Sequence, residues 1–172
     1  AGVASPQTGP LLRPLEWHFI GPVQSNKTRQ IAEHFQWVHG VDRLKIAERL
    51  SISRPANLPP LQICIQVNVS GEDSKGGVRP DEVLALAKAV CVLPRLRLRG
   101  LMAIPEPSAD SGLQRSRFRL LRQLRDDIVS RGVALDTLSM GMSDDLEAAI
   151  AEGATLVRVG RAIFGERPSS SH

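Results

Sequence analysis

Residues 139–145 are SMGMSDD, and residues 156–165 are LVRVGRAIFG. Each stretch passes from a short apolar strand into a turn that contains Gly or Ser and then into a helix. This geometry directs backbone N–H groups and a helix N-terminus towards one point, which is how proteins bind a phosphate group. Two such turns in succession are typical of the phosphate site after the last two strands of a β/α barrel. The sequence therefore indicates a phosphorylated ligand.

Strand and helix patterns alternate six times along the chain. We predict strands over Trp17–Gly21, Trp37–Val41, Leu61–Val69, Leu96–Ile104, Thr137–Met142 and Leu156–Gly160. We predict helices around Lys27–Phe35, Arg43–Leu50, Pro80–Val92, Gly112–Arg131 and Asp144–Glu152, with a short final turn from Ala162. Strict alternation predicts an α/β fold with a parallel sheet, here the last six βα units of a parallel (β/α) barrel.

The length of 172 residues is enough for one domain with a buried core. We expect a loose N-terminal arm over residues 1–14, which hold three prolines and two glycines, a barrel domain over 15–167 and a C-terminal tail over 168–172. Six units are fewer than the eight of a closed barrel, so the domain is expected to be incomplete. The alternative is an antiparallel sheet with one wet face, which the intervening helices disfavour.

The strand predicted over Leu61–Val69 has two faces of different polarity. Ile63, Ile65, Val67 and Val69 share one face, and Gln62, Cys64, Gln66 and Asn68 share the other. An apolar face packs under helices, whereas a polar face points into a barrel interior near a site. The pattern therefore favours a barrel wall.

Composition limits the classes of partner. The net charge of +4 comes mostly from scattered arginines, and aromatic residues make up only 3% of the chain, so we expect no nucleic acid. No stretch has the pattern of a signal peptide or the length of a membrane span, and we expect a cytoplasmic protein that binds no membrane. Cys64 and Cys91 are expected to be buried thiols rather than a disulfide.

Two residues of the final stretches have alternative interpretations. Ser143, followed by Asp144 and Asp145, is either a helix N-cap or a phosphate ligand, and one capping turn can serve as both. Arg158 stands between valines in a strand, where a guanidinium loses water and needs a partner. That partner is either an internal carboxylate or the ring nitrogen or phosphate of a ligand.

Other polar residues are expected near the rim of the barrel. Lys27 follows the first predicted strand and Lys75 the third, and both are better explained as surface lysines than as ligand contacts. His18 points into the interior if its aromatic neighbours face outwards, and a hydrogen-bonded core histidine explains it best. Nothing in the sequence indicates a hydrolase or a metal site.

Five motifs occur in a fixed order and carry a resemblance. They are WHFIGPVQSNK (17–27), NVSGEDSKGG (68–77), RGLMAI (99–104), SMGMSDD (139–145) and VRVGRAIFG (157–165). Together they resemble the pyridoxal phosphate homeostasis protein family, single-domain relatives of the alanine racemase barrel domain. The resemblance extends from Leu15 to about Arg167, as expected for an N-terminally incomplete member.

The resemblance implies a site for pyridoxal 5′-phosphate (PLP). By position, Met142 and Ser143 should lie at the phosphate, and Gly160 and Arg161 should offer it backbone N–H groups. Arg161 stands where the family usually has Thr or Ser, so a hydroxyl contact is lost. Arg158 should face the pyridine nitrogen and keep it unprotonated, which weakens the ring as an electron sink.

The family's Schiff-base lysine is absent from this chain, since none of the four lysines matches its position. They are Lys27, Lys45, Lys75 and Lys88. The resemblance implies PLP binding and homeostasis without catalysis, with PLP-dependent apoenzymes as recipients. The alternatives are an alanine-racemase-like PLP enzyme acting on amino acids and a non-catalytic interaction module. We expect a monomer or weak self-association.

Overall fold

The computed structural model describes residues 14–72 and 76–165. The predicted arm, except for Pro14, and the predicted tail lie outside the described residues. The strands within the described residues are β1 (His18–Phe19), β2 (Trp37–Val41), β3 (Leu61–Gln66), β4 (Leu96–Met102) and β5 (Thr137–Ser139). The helices there are α1 (Thr28–His34), α2 (Leu44–Ser53), α3 (Val83–Cys91), α4 (Ser111–Ser130), α5 (Leu146–Ala151) and α6 (Arg161–Phe164). Short 3-10 turns, Ser25–Lys27 and Pro80–Glu82, precede α1 and α3.

The strands form one parallel sheet in the order β1-β2-β3-β4-β5. Each strand is followed by at least one helix, and the helices from α1 to α5 contact one another in chain order. Neighbouring βα units therefore add side by side, as in the wall of a β/α barrel. The predicted α/β fold is confirmed.

The two faces of the sheet differ as the sequence predicted. Ile63, Ile65 and Val67 are buried in the main core beneath the helices. Cys64 points the other way and packs with Trp37 and Met102 in a small separate cluster. We call the side of the sheet on which that cluster lies the inner face. Burial there raises the pKa of the Cys64 thiol to about 12.

The predicted sixth strand, Leu156–Gly160, is wrong as a strand. Its start pairs with β5 through a single parallel bridge between Ser139 and Leu156, and β5 itself ends three residues earlier than predicted. The backbone of Gly141 has φ +98°, which takes the chain out of the extended conformation. With a neighbour on one side only among the described residues, the segment around Leu156 does not continue as a ladder.

The longest helix, α4, begins at a side-chain cap. The Asp110 carboxylate accepts hydrogen bonds from the backbone N–H groups of Gly112 and Leu113, at 2.8 and 3.1 Å. Such a cap satisfies donors that a helix start leaves unpaired. No helix in the described part of the chain is both long and apolar enough to cross a membrane.

The expectation for one cysteine is wrong. Cys64 is buried as expected, but Cys91, the last residue of α3, is exposed. An apolar residue at a helix end faces solvent when its position falls outside the buried stripe. Both thiols are free.

Candidate ligand-binding site

The five residues predicted to bind the ligand line one open cleft of about 1010 Å³. They are Met142, Ser143, Arg158, Gly160 and Arg161. The cleft lies beyond the carboxyl end of β5, which is the edge where parallel α/β folds place their ligands. The structure thus brings together residues from two loops that are separated along the chain.

Gly141 ties the two loops together. Its carbonyl accepts a hydrogen bond from the Arg158 backbone N–H at 2.9 Å. A Cβ at position 141 would lie 2.5 Å from the Ala149 Cβ, and the positive φ is unfavourable for other residues. Glycine is therefore required here by the fold itself.

Ser143 does not cap a helix. Helix α5 begins at Leu146, and Asp145 occupies the cap position. The Asp145 carboxylate instead accepts a hydrogen bond from the Met142 backbone N–H at 2.7 Å, which closes the turn. The half-buried Ser143 hydroxyl has no hydrogen-bond partner among the described residues, so it is available to a ligand.

Gly160 precedes helix α6 and leaves its backbone donors open. Ile163 and Phe164 donate the first hydrogen bonds of this turn, both to the Gly160 carbonyl. The N–H groups of residues 160–162 come before those donors and have no helical acceptor. A Cβ at Gly160 would meet nothing within 4 Å, and φ is −121°. Glycine there is not required by packing or backbone conformation, and it leaves room at the backbone donors.

The Arg161 side chain pairs with Asp144 across the mouth of the cleft. Both side chains are exposed by half or more, so solvent screens the pair and its contribution to stability is small. An exposed pair can open when an anion competes for the guanidinium. When the pair opens, the Arg161 guanidinium becomes a positive charge at this turn.

Arg158 is held from the inner face of the sheet. Its Nη1 donates to the Ser139 hydroxyl at 2.9 Å, and its Nη2 donates to the Ala103 carbonyl at 2.9 Å. Its partners among the described residues are neutral oxygens, so the internal carboxylate considered from the sequence is not seen. Burial lowers the pKa of the guanidinium, an effect that the more distant Asp145 opposes.

The Arg158 Nε is buried and has no hydrogen-bond partner in the part of the chain that the structure describes. Leaving a charged buried donor unpaired costs free energy, and most such donors in native structures are paired. Because Arg158 lines the cleft, an acceptor on a bound ligand is the natural partner for this N–H group.

Two histidines extend the polar contacts of Arg158 and were not predicted as site residues. The Ser139 hydroxyl lies 2.8 Å from His39 Nδ1, and His39 Nε2 lies 2.9 Å from His18 Nδ1. His39 is fully buried, and burial together with the charges of His18 and Arg158 lowers its pKa to about 3. His18 is half-buried, as expected for a hydrogen-bonded core histidine, and burial lowers its pKa against the opposing effect of Glu16.

The described lysines do not line the cleft. Lys27, Lys45 and Lys88 are exposed elsewhere on the fold, which for Lys27 agrees with its interpretation as a surface lysine. Lys75 lies outside the described residues.

The family model for the alanine racemase N-terminal domain matches residues 1–168. The chain belongs to this family, and its sheet is part of the barrel that the family forms. The resemblance inferred from the five motifs is thereby confirmed.

Individual curated proteins also match most of the chain. The chain is 68% identical over 154 residues to a protein of Pseudomonas aeruginosa named pyridoxal phosphate homeostasis protein, covering 90% of this chain and 66% of the relative. It is 57% identical over 159 residues to a protein of the same name from Escherichia coli, covering 91% of this chain and 67% of the relative. The chain thus spans about two thirds of the length of these relatives.

A solved structure agrees with the sequence relatives. PipY of Synechococcus elongatus, determined with PLP bound, superposes with a TM-score of 0.81 at 35% identity and covers 90% of this chain and 72% of PipY. PipY was also determined without PLP, again with a TM-score of 0.81. The partial barrel is therefore the same fold.

Proposed function

We propose that this chain binds pyridoxal 5′-phosphate in the cleft and serves in the homeostasis of the cofactor without catalysing a reaction of its own. The observation that carries the proposal is the buried, unpartnered Arg158 Nε beside a turn of open backbone donors. PLP offers both complements, a pyridine nitrogen and a phosphate group. The names of the curated relatives and the PLP-bound PipY structure support this assignment.

The phosphate end would be held by the two loops. The Ser143 hydroxyl and the N–H groups of residues 160–162 are donors that have no acceptor within residues 14–72 and 76–165, and donors of this kind bind phosphate oxygens. Arg161 adds a positive charge at the same turn. Met142 lines the cleft and supplies an apolar wall beside the ligand.

The ring end would face Arg158. An arginine guanidinium can only donate, so the pyridine nitrogen must accept and stays unprotonated. PLP supplies an electron sink when bound, and an unprotonated ring is a weak one. Binding and release of the cofactor, rather than chemistry on it, fit this arrangement.

The proposal includes a cellular setting. The chain would act in the cytoplasm as a monomer or a weakly associating species, and PLP-dependent apoenzymes would receive the cofactor. Acceleration of PLP transfer to an apoenzyme, compared with free PLP at the same concentration, tests this part.

Calorimetric titration with PLP tests binding through the phosphate. We expect the chain to bind PLP more tightly than pyridoxal, which lacks the phosphate. Ser143→Ala should weaken PLP binding by about 1–2 kcal/mol, because a charge-assisted hydrogen bond is lost. Ser116→Ala is the matched control, since Ser116 is exposed on α4 and bonds only the Leu113 carbonyl. Equal affinity for PLP and pyridoxal would contradict the proposal.

Catalytic turnover of an amino acid would contradict the proposal that the chain catalyses no reaction of its own. Alanine racemisation measured with added PLP distinguishes the proposal from the alternative of an alanine-racemase-like enzyme. We expect no racemisation above the rate with PLP alone.

A further inference from the structure

A chain of side-chain hydrogen bonds crosses the inner face from the cleft to the far edge of the sheet. It runs from Arg158 to Ser139 on β5, to His39 on β2 and to His18 on β1, and we call these four residues the relay. The distances are 2.9 Å from Arg158 Nη1 to the Ser139 oxygen, 2.8 Å from that oxygen to His39 Nδ1, and 2.9 Å from His39 Nε2 to His18 Nδ1. Ser139 and His39 are buried.

Donation from Arg158 favours one direction for the hydrogens of the relay. A guanidinium only donates, so the Ser139 oxygen accepts from Nη1. The Ser139 hydrogen then has His39 Nδ1 as its side-chain acceptor among the described residues, and the favoured arrangement has Ser139 donate to an unprotonated Nδ1. His39 therefore carries its hydrogen on Nε2 and donates it to His18 Nδ1. His18 in turn carries a hydrogen on Nε2, which faces Glu16 Oε1 at 3.5 Å.

This arrangement gives the Ser139 hydroxyl hydrogen and the His39 ring hydrogen an acceptor each, and it requires a neutral His39. The opposite tautomer would have His39 Nδ1 donate to Ser139, whose own hydrogen would then need another acceptor. The low pKa of His39 agrees with a neutral ring.

We propose that Ser139 and His39 are positioning residues that fix the plane of the Arg158 guanidinium and so select a ligand ring that carries a hydrogen-bond acceptor. Nη1 donates to Ser139 and Nη2 to the Ala103 carbonyl of the neighbouring strand end, and Nε is the guanidinium nitrogen that has no acceptor in the described part of the chain, which makes it the donor open to the ligand. The part concerning the ligand rests on the proposed function.

Nitrogen-15 NMR of the histidine rings tests the relay without any ligand. We expect the unsubstituted chain to show neutral His39 with its hydrogen on Nε2. Arg158→Leu removes the donor that favours this direction, so the ring signals of His39 should move towards a mixture of tautomers. Arg161→Leu is the matched control, because Arg161 lines the same cleft but pairs with Asp144. A hydrogen on Nδ1, or His39 signals that are the same in Arg158→Leu, would overturn the relay.

Ligand selectivity tests the positioning role. Ser139→Ala should weaken PLP binding about tenfold, while the affinity for benzyl phosphate, whose ring has no nitrogen, stays the same. Ser139→Thr keeps the hydroxyl and should restore PLP affinity. Ser51→Ala is the control for loss of a buried serine hydroxyl, since Ser51 bonds the Pro94 carbonyl on another part of the fold.

The outcomes separate the two proposals. Equal weakening of PLP and benzyl phosphate in Ser139→Ala would make Ser139 a structural residue and overturn the positioning role. An unsubstituted chain that binds neither ligand would instead contradict the proposed function. That result would also contradict the selection of a ligand ring. The NMR experiment would still show whether the relay exists, because it needs no ligand.

Discussion

Arg158 combines a half-buried side chain, hydrogen bonds on both Nη nitrogens and an Nε without a partner among the described residues, so the proposed recognition of the ring depends on it. Arg158→Leu should weaken PLP binding about tenfold or more, because a charge-assisted hydrogen bond to the ring is lost. Inorganic phosphate should bind the variant as it binds the unsubstituted chain. Calorimetry on both ligands makes the comparison, with Arg49→Leu, an exposed arginine of α2, as control. Unchanged PLP affinity in Arg158→Leu would remove Arg158 from the site.

His39 makes the stability of the fold depend on pH. Its pKa in the folded chain, about 3, lies below its ordinary value of 6.5. The unfolded chain therefore binds a proton that the folded chain excludes. The stabilisation is complete above the ordinary pKa and is lost as the pH falls towards the folded value, by up to about 1.4 kcal/mol per pH unit. His18, whose pKa is also lowered, contributes with the same sign.

Urea unfolding between about pH 7 and pH 5 measures this effect, since most carboxylates titrate below that range. The free energy of unfolding should fall with pH in the unsubstituted chain and change less in His39→Gln. A free energy of unfolding that is constant across this range would show that His39 is not buried in its neutral form.

The relay is also what sequence reasoning missed at this scale. His39 is one polar residue in the otherwise apolar strand WVHGV, and its partner Ser139 is 100 residues away. Local pattern shows that a polar side chain is buried, but it does not show which distant side chain pairs with it. Arg158 was singled out because a strand arginine between valines must be desolvated, whichever partner it has.

Among the elements, the two site turns depend on glycine for different reasons. Gly141→Ala places a Cβ against Ala149 at a residue with φ +98°, so the free energy of unfolding should fall by about 1–3 kcal/mol. Gly160→Ala meets open space and should leave the free energy of unfolding unchanged, while it weakens PLP binding by crowding the backbone donors. Urea unfolding and calorimetry on both variants make the comparison. A Gly160→Ala variant with full PLP affinity would place the phosphate elsewhere.

Periodicity predicted the elements better than their ends. The helix predicted over Gly112–Arg131 is found at Ser111–Ser130, because a long amphipathic pattern defines its own limits. The strand predicted over Leu61–Val69 ends at Gln66, and that over Leu156–Gly160 is reduced to one bridge. A strand forms only where neighbouring strands pair with it. The apolar pattern of a single segment does not show how many neighbouring strands that segment has.

At the scale of the whole molecule, the described residues include exposed apolar side chains near both ends of the strand order. Trp17, beside β1, is 59% exposed, and Phe164, in α6 after the last bridge, is 85% exposed. Exposed sheet edges and apolar side chains favour pairing with other chains. We therefore predict weak reversible self-association, visible as a sedimentation coefficient that rises with concentration.

The double substitution Trp17→Ser and Phe164→Ser should reduce this dependence. Val92→Ser is the control, since Val92 is 78% exposed at the end of α3, away from both edges. Equal effects of the double variant and the control would mean that the sheet edges do not drive association.

The central claim is that the cleft holds PLP through its phosphate and its ring nitrogen, without a covalent link to a lysine. The most direct measurement is a titration of the chain with PLP followed by absorbance, then borohydride reduction and the intact mass. We predict saturable binding at one PLP per chain and, after reduction, the mass of the unmodified protein. An absence of saturable binding, or a stoichiometric reduced adduct mapped to one lysine, would contradict the account.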